Sequence, residues 1–191
     1  MPKEGKLIVF LIVLFTVCTL ILAGAQQLYL NAAAVFRVRL YGDILDLYSI
    51  EHTEENTAEL FENHFTIREV GGKTYYEANE VHPGSVVFEA EGSGLWSIIE
   101  LIVAVGAERE QLVGMRVVSQ AETPGLGGRI TEEEFQKQFA GVDIAPKVEV
   151  VKFATASNEV DAIAGATRTG DAVEEIINSG IEEMRNDLGA S

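Results

Sequence analysis

A long, uncharged and mostly apolar segment occupies the N-terminal part of the sequence. Residues 7–25, LIVFLIVLFTVCTLILAGA, form 19 consecutive residues without a charge. Because a helix needs roughly 20 apolar residues to cross the hydrocarbon core of a bilayer, we expect a membrane-spanning anchor. The alternative is a cleaved signal peptide, since Ala23-Gly24-Ala25 has the small-x-small pattern of a cleavage site. A secretory apolar segment, however, usually holds only about 7 to 15 residues.

The basic residues around the apolar segment predict its orientation. Lys3 and Lys6 precede it, and the first basic residues after it are Arg37 and Arg39. The excess of Lys and Arg in cytoplasmic flanks favours a cytoplasmic N-terminus and an extracytoplasmic domain at the cell (inner) membrane. The whole chain has 14 basic and 30 acidic residues, a net charge of −16. Such a charge repels the phosphate backbone, which argues against nucleic-acid binding.

The cysteine and histidine contents limit the chemistry of the chain. Cys18 is the single cysteine in the sequence, so an intrachain disulfide, a zinc cluster or an iron–sulfur site built by this chain alone is excluded. His52, His64 and His82 are too dispersed to predict a metal site. We therefore predict that any redox chemistry comes from a bound cofactor.

The chain divides on sequence grounds into three segments. We expect a cytoplasmic N-terminus and transmembrane anchor over residues 1–26, a connecting segment over 27–56, and an extracytoplasmic domain over 57–191. An apolar, helix-compatible pattern continues after the anchor over residues 26–40, so the helix is expected either to extend out of the membrane or to lie against the domain.

The pattern of the third segment predicts an α+β fold. Residues 57–65, TAELFENHF, indicate a short helix, and Gly71-Gly72 indicates a hairpin turn. Two apolar runs over 98–105 and 112–118 predict a buried antiparallel pair. We expect a mostly antiparallel sheet packed by helices.

The C-terminal half adds two predicted helices and one strand. Thr131 followed by Glu134 predicts a capping box before a helix, and residues 146–153 alternate as a strand. The last helix is expected to bury one apolar face. That face consists of Ala172, Val173, Ile176, Ile177, Ile181 and Met184.

A small, hydroxyl-bearing turn, AGATRTG, precedes this last helix. Gly165 permits a tight turn, Ala166 keeps bulk away, and Thr167 and Thr169 present hydroxyls beside the first free N–H groups of the helix. Such a terminus favours an anion. Thr169 alone would be enough for capping, so the residues allow either an ordinary N-cap or an anion site.

A second unusual segment is AETPGLGGRI, residues 121–130. It is glycine-rich and carries one carboxylate at its entry, so its backbone can approach a planar ligand closely, although an ordinary turn has the same composition. The spacing of its glycines is not that of a dinucleotide-binding loop. The residues of interest are Glu122, Thr123, Pro124, Gly125, Leu126 and Gly127.

Together these segments resemble the FMN-binding domain of the G subunit of the Rnf complex and of the C subunit of sodium-pumping NADH:quinone oxidoreductase. In that family a threonine of a Ser/Thr-Gly-Ala-Thr motif carries FMN through a phosphoester bond. Residues 164–167, AGAT, match the last three positions of this motif. Residues 122–127 match the family's Glu-Thr-Pro-Gly-Leu-Gly loop, and residues 92–96 match a glycine-rich aromatic stretch. The resemblance implies that Thr167 is the attachment residue.

The resemblance also implies the rest of the site. Leu95 and Trp96 are expected near the flavin, although a lone aromatic residue is more often part of the core. The chain departs from the family pattern at Ala164, where Ser or Thr is common, and at Gln120, where His is frequent. No residue of the chain is expected to be catalytic by itself, because FMN carries the chemistry.

The function implied by the resemblance is that of an electron-carrier subunit with covalent FMN in a membrane-bound, Rnf-type translocase. Such a complex couples electron transfer between ferredoxin and NAD to movement of Na⁺ or H⁺. The implied partners are the other subunits of the complex, a flavin transferase during maturation, and the lipid bilayer. Two alternatives remain open on sequence grounds: a stand-alone flavinylated carrier and a non-redox extracytoplasmic ligand-binding or sensor domain.

Overall fold

The computed structural model describes residues 3–79 and 82–189 and divides into two compact units, Met1–Leu40 and Tyr41–Ser191. Met1 and Pro2, in the predicted cytoplasmic segment, lie outside the described residues, and so do the last two residues of the predicted domain. The side chain of Lys3, on which the predicted orientation partly rests, is not described either.

Helix α1 runs from Lys3 to Leu47. Its residues up to Leu40 belong to the first unit, and its last turns, from Tyr41, belong to the second. Within the described part of the chain it is the one helix long and apolar enough to span a membrane, and none of its most apolar window is buried inside the protein. The hydroxyls of Thr16 and Thr19 donate to the carbonyls of Ile12 and Phe15, at 2.8 and 2.9 Å. These bonds satisfy both hydroxyls within the helix, as an apolar medium requires.

The second unit contains a five-stranded antiparallel sheet in which neighbours in sequence are neighbours in space. A short helix, α2 (Thr57–His64), leads into it, as the sequence predicts. The strands are β1 (Phe65–Val70), β2 (Lys73–Ala78), β3 (Val86–Ser93), β4 (Ile98–Val105) and β5 (Leu112–Ser119). Their order confirms the predicted α+β fold with a mostly antiparallel sheet.

Two local predictions for this sheet are confirmed. Gly71 and Gly72 join β1 to β2 with φ of 62° and 82°, values that a hairpin turn needs and that glycine adopts without strain. Strands β4 and β5 pair as expected, with Val103 opposite Met115.

The chain after β5 forms short elements before the long final helix. One prediction here is wrong, because Thr131 does not cap a helix. It lies in a 3₁₀ turn, its hydroxyl donates to the carbonyl of Gly128 at 2.9 Å, and the following helix has Glu132 as its N-cap without a side-chain bond.

The elements after β5 are the 3₁₀ turn Gly127–Thr131, α3 (Glu133–Gln136), the 3₁₀ turn Lys137–Phe139, β6 (Glu149–Val151), β7 (Glu159–Asp161) and α4 (Thr167–Leu188). Strands β6 and β7 pair in parallel, and β6 is shorter than the predicted strand over 146–153.

Helix α4 covers one face of the sheet. All six residues of its predicted inner face are buried, which confirms the helical periodicity. Glycines bring helix and strand together: a Cβ on Gly180 would lie 2.6 Å from the Phe88 ring, and one on Gly92 would lie 2.5 Å from Ile176. Burial of each large aliphatic side chain of this face contributes about 1.5–3 kcal/mol, so packing rather than helix propensity holds α4 in place.

The end of α1 and helix α2 cover the opposite face. Tyr41, Ile44 and Leu45 are buried, and the Tyr41 ring stacks on Phe61 with centroids 3.7 Å apart. The globular unit therefore begins inside the segment that the sequence analysis assigned to a connection, residues 27–56. The division into residues 1–26, 27–56 and 57–191 stays a prediction.

Candidate functional site

The structure brings together the two segments that the sequence analysis singled out. A cavity of about 300 Å³ lies between the glycine-rich loop and the first turn of α4. Its lining residues are Leu95, Glu122, Thr123, Leu126, Gly127, Gly165, Ala166, Thr167, Arg168 and Thr169. Three predicted residues, Pro124, Gly125 and Trp96, do not line this cavity.

Thr167 is the first residue of helix α4 and its side chain is exposed. The preceding Gly165 has a φ of 80°, and Ala166 stands at the N-cap without a side-chain hydrogen bond. The first N–H groups of the helix therefore lack a capping side chain and, together with the helix dipole, favour an anion. An accessible hydroxyl at such a terminus is suited to carry a phosphate ester.

Thr169 has a different role from the predicted one. On sequence grounds its hydroxyl was suited either to capping the helix or to an anion site at the helix terminus. Instead the side chain is buried, and its hydroxyl donates to Glu122 Oε2 at 2.8 Å. The prediction of a cap is wrong because Thr169 lies in the third position of the helix, from where its side chain turns towards the loop.

Glu122 is buried, with only 5% of its surface exposed, and joins three segments of the chain. Its Oε1 accepts hydrogen bonds from the backbone N–H of Trp96 at 2.9 Å, from the backbone N–H of Ser97 at 3.1 Å, and from the Ser97 hydroxyl at 3.3 Å. Its Oε2 accepts the bond from Thr169. The carboxylate thus ties the turn after β3 and the glycine-rich loop to helix α4.

The hydrogen bonds also determine the charge of Glu122. Burial by itself raises the pKa of this carboxyl, but the bonds that it accepts, the Trp96 backbone N–H first, outweigh burial and hold the pKa below its ordinary value. Glu122 is therefore ionised at neutral pH, and both of its oxygens are already engaged within the protein.

Two glycines make room for this carboxylate. A Cβ on Gly127 would lie 2.5 Å from Thr169 Oγ1, and a Cβ on Gly94 would lie 2.6 Å from Glu122 Oε1. Both distances are shorter than the contacts that Cβ atoms make in proteins, so a side chain at either position would displace the carboxylate or its partner. By contrast, nothing lies within 4 Å of a Cβ on Gly125, whose φ of 75° alone accounts for the glycine.

The structure excludes Trp96 from the core, since 72% of the residue's surface is exposed. Its neighbour Leu95 is 45% exposed, and Leu126, on the opposite segment, is 44% exposed. Contact of Trp96 with a flavin stays a prediction, but the ring is available for one.

Two residues of this region, Ser97 and Arg168, were not predicted from the sequence. Ser97 closes the turn through its bonds to Glu122, and its hydroxyl also accepts from the Ala121 backbone at 2.8 Å. Arg168 lines the cavity and is exposed, and among residues 3–79 and 82–189 no carboxylate forms an ion pair with it. Arg168 could have been predicted as a site residue, because a basic residue next to Thr167 is unusual in so acidic a chain. No local sequence pattern predicts the role of Ser97.

A larger groove, of about 470 Å³, lies elsewhere on the domain, and its chemistry is different. Its lining contains the carboxylates of Glu89, Glu91, Glu100 and Glu183 but no helix N-terminus. These charges would repel a phosphate, so the smaller cavity at Thr167 is the candidate cofactor site in spite of its size.

Comparison with known proteins finds similarity in sequence and in fold. The sequence model of the FMN-binding domain matches residues 94–182, which include both the glycine-rich loop and the Thr167 turn. The C subunit of the Na⁺-translocating NADH-quinone reductase of Vibrio parahaemolyticus is 34% identical over 111 residues, which cover 54% of this chain and 42% of that protein. The G subunit of the ion-translocating oxidoreductase complex of Methanosarcina acetivorans is 32% identical over 96 residues, 50% of this chain and 49% of that protein. The chain thus matches about half the length of these curated relatives or less.

Solved structures show the same fold. The C subunit of the Na⁺-translocating NADH-quinone reductase of Parabacteroides distasonis superposes with a TM-score of 0.69 at 21% identity, over 81% of this chain and 93% of that one. NqrC of Shewanella oneidensis gives a TM-score of 0.70 at 18% identity, over 78% and 93%. Residues 94–182 thus match the FMN-binding domain, and over this region the chain is similar to those C and G subunits.

Proposed function

We propose that the chain carries one FMN, joined by a phosphoester bond to Thr167, and that it relays electrons as an anchored subunit of an Rnf-type ion-translocating oxidoreductase. The observation that carries the proposal is the exposed Thr167 hydroxyl at the uncapped start of α4, beside a cavity. The match of residues 94–182 to the FMN-binding domain supports FMN as the group that fills it.

The residues at the cavity fit the two chemically different parts of FMN. Arg168 and the free N–H groups of the first turn of α4 suit the phosphate, which remains anionic after esterification. Leu95 and Leu126 offer apolar surface to the ring system, and the cavity volume is at the lower end of the roughly 300–1,000 Å³ usual for ligand sites. When bound, FMN supplies the electron chemistry, while the chain supplies attachment and orientation.

The anchor gives covalent attachment a physical purpose. Helix α1 is long and apolar enough to hold the chain in a bilayer, and the positive-inside bias supports a globular unit outside the cytoplasm. A flavin that dissociated there would not be replenished, so a covalent bond retains it. The flavin transferase that forms this bond is a further proposed partner of the chain.

The attachment residue can be tested by intact-mass analysis of the denatured full-length chain, expressed together with a flavin transferase. The native sequence should gain the mass of one FMN less one water, and Thr167→Ala should not. Thr123→Ala is the matched control, because Thr123 is also exposed and lines the same cavity. Loss of the mass in the control, or its retention in Thr167→Ala, would contradict the assignment.

The place of the chain in a complex needs a separate measurement. In membranes that contain the native complex, the absorbance of the bound flavin should bleach after addition of reduced ferredoxin and recover after addition of NAD. Membranes that contain only this chain should show no such cycle. Equal bleaching in both would indicate a stand-alone carrier, and no bleaching in either would indicate a non-redox domain.

A further inference from the structure

Strand β3 is paired along its whole length on one side but only partly on the other. Its register with β4 runs from Val86 to Ser93. Its register with β2 ends where Tyr75 lies opposite Phe88. Within the described residues, the side of β3 that faces away from β4 has no neighbouring strand beyond Phe88. That part of β3 is a short open edge in the middle of the sheet.

The edge is open because the β1–β2 hairpin is drawn towards the end of α4. The Tyr75 hydroxyl donates to Asp187 at 2.6 Å, and Lys73 forms an ion pair with Glu183. The hairpin therefore leaves β3, and a groove of about 470 Å³ separates its start from β3 and α4. On the other side Gly92 packs against Ile176 of α4, so a helix backs the open edge.

The charges of the groove are strongly biased. Four carboxylates line it, those of Glu89, Glu91, Glu100 and Glu183, and Lys73 is the one basic residue among its described lining. The Lys73 ammonium is already paired with Glu183. The remaining carboxylates give the groove an excess of negative charge, which favours a cationic occupant.

We propose that this groove receives a basic, extended segment of a partner protein, which adds a strand to the open edge of β3. Unpaired main chain supplies hydrogen bonds to such a segment, and alternate side chains supply specificity. Lys or Arg at alternate positions would face Glu89 and Glu91. The outer edge of β5 is not equivalent, because the N–H groups of Leu112 and Val117 already bond to Val142 and Gln136. This surface is separate from the Thr167 cavity and does not depend on the flavin.

A defined peptide tests the proposal on the full-length chain in detergent micelles. The probe is a seven-residue peptide that alternates lysine and valine, with a version N-methylated on alternate backbone nitrogens as its control. The unmodified peptide should bind and should slow amide hydrogen exchange over residues 89–93. The methylated peptide has the same charge but loses two or more backbone bonds, so its affinity should fall about tenfold.

Two protein variants separate the groove from the general acidity of the domain. Glu91→Lys should weaken binding at least about fivefold, because it removes one attraction and adds one repulsion at an exposed position. Glu62→Lys, at an exposed position on α2, makes the same charge change and should leave binding unaltered. Equal affinity for both peptides, equal effects of the two variants, or protection of β1 instead of β3 would each overturn the proposal.

Discussion

Replacement of Glu122 by glutamine is expected to loosen the junction between the turn after β3, the glycine-rich loop and helix α4. Glutamine has nearly the same shape, so the change removes charge without opening a cavity. Hydrogen bonds to a charged group contribute about 1.5–3 kcal/mol each and neutral ones about 0.5–1.5 kcal/mol. Weakening of the two shortest bonds, at 2.8 Å from Thr169 and 2.9 Å from Trp96, should therefore cost about 2 kcal/mol in total.

Thermal unfolding at neutral pH measures this cost. For a domain of this size 1 kcal/mol shifts Tm by roughly 2–4 °C, so Glu122→Gln should unfold about 4–8 °C below the native sequence. Far-UV circular dichroism follows the whole domain, and the fluorescence of Trp96, the single tryptophan, follows the junction itself. Glu62→Gln, at an exposed position on α2, is the control and should leave Tm unchanged.

The pH dependence provides a stricter test. Because the pKa of Glu122 is lower in the folded chain than its ordinary value, its stabilising effect is complete above that ordinary value. The effect is lost as pH falls through the folded pKa. The Tm difference between the native sequence and Glu122→Gln should therefore be constant near neutral pH and shrink in acid. Equal Tm values at pH 7, or a difference that persists unchanged at low pH, would refute the role assigned to this carboxylate.

Two further predictions concern the loop and the membrane orientation. Gly127→Ala should lower the free energy of unfolding by about 1–3 kcal/mol, because its Cβ would collide with the Thr169 hydroxyl. Gly106→Ala, whose Cβ would make only an ordinary contact, is the control, and chemical denaturation measures both variants. Equal denaturation midpoints would show that the loop shifts to accommodate the added methyl group. The side chain of Lys147 is half-exposed, so Lys147→Cys in a Cys18→Ala background should react with an impermeant thiol reagent in intact cells. Labelling only after lysis would reverse the proposed orientation.

The sequence predicted those parts of the fold that follow from periodicity. The apolar face of α4, the β4–β5 pair and the Gly71-Gly72 hairpin are all local patterns, and each is confirmed. The candidate site was also found from sequence, because Thr167 and the glycine-rich loop carry family motifs.

The rest of the site depends on contacts between residues far apart in the chain. Thr131 and Thr169 both have the local pattern of a helix cap, yet one hydroxyl bonds back within a 3₁₀ turn and the other reaches Glu122, 47 residues away. The partners of Glu122, above all Ser97, have no local signal. The first residue of the globular unit, Tyr41, was missed for a related reason, since one helical pattern runs without interruption from the apolar span into the buried residues.

The continuity of α1 determines where proteolysis could release the globular unit from the membrane. A cut after Ala25, at the small-x-small pattern, or anywhere up to Leu40 would separate the apolar span and leave Tyr41, Ile44 and Leu45 with the sheet that they cover. A cut beyond Tyr48 would instead strip those side chains away and expose Phe61 and its neighbours to water. Cleavage between Ala25 and Leu40 would therefore release the globular unit with all of its buried side chains.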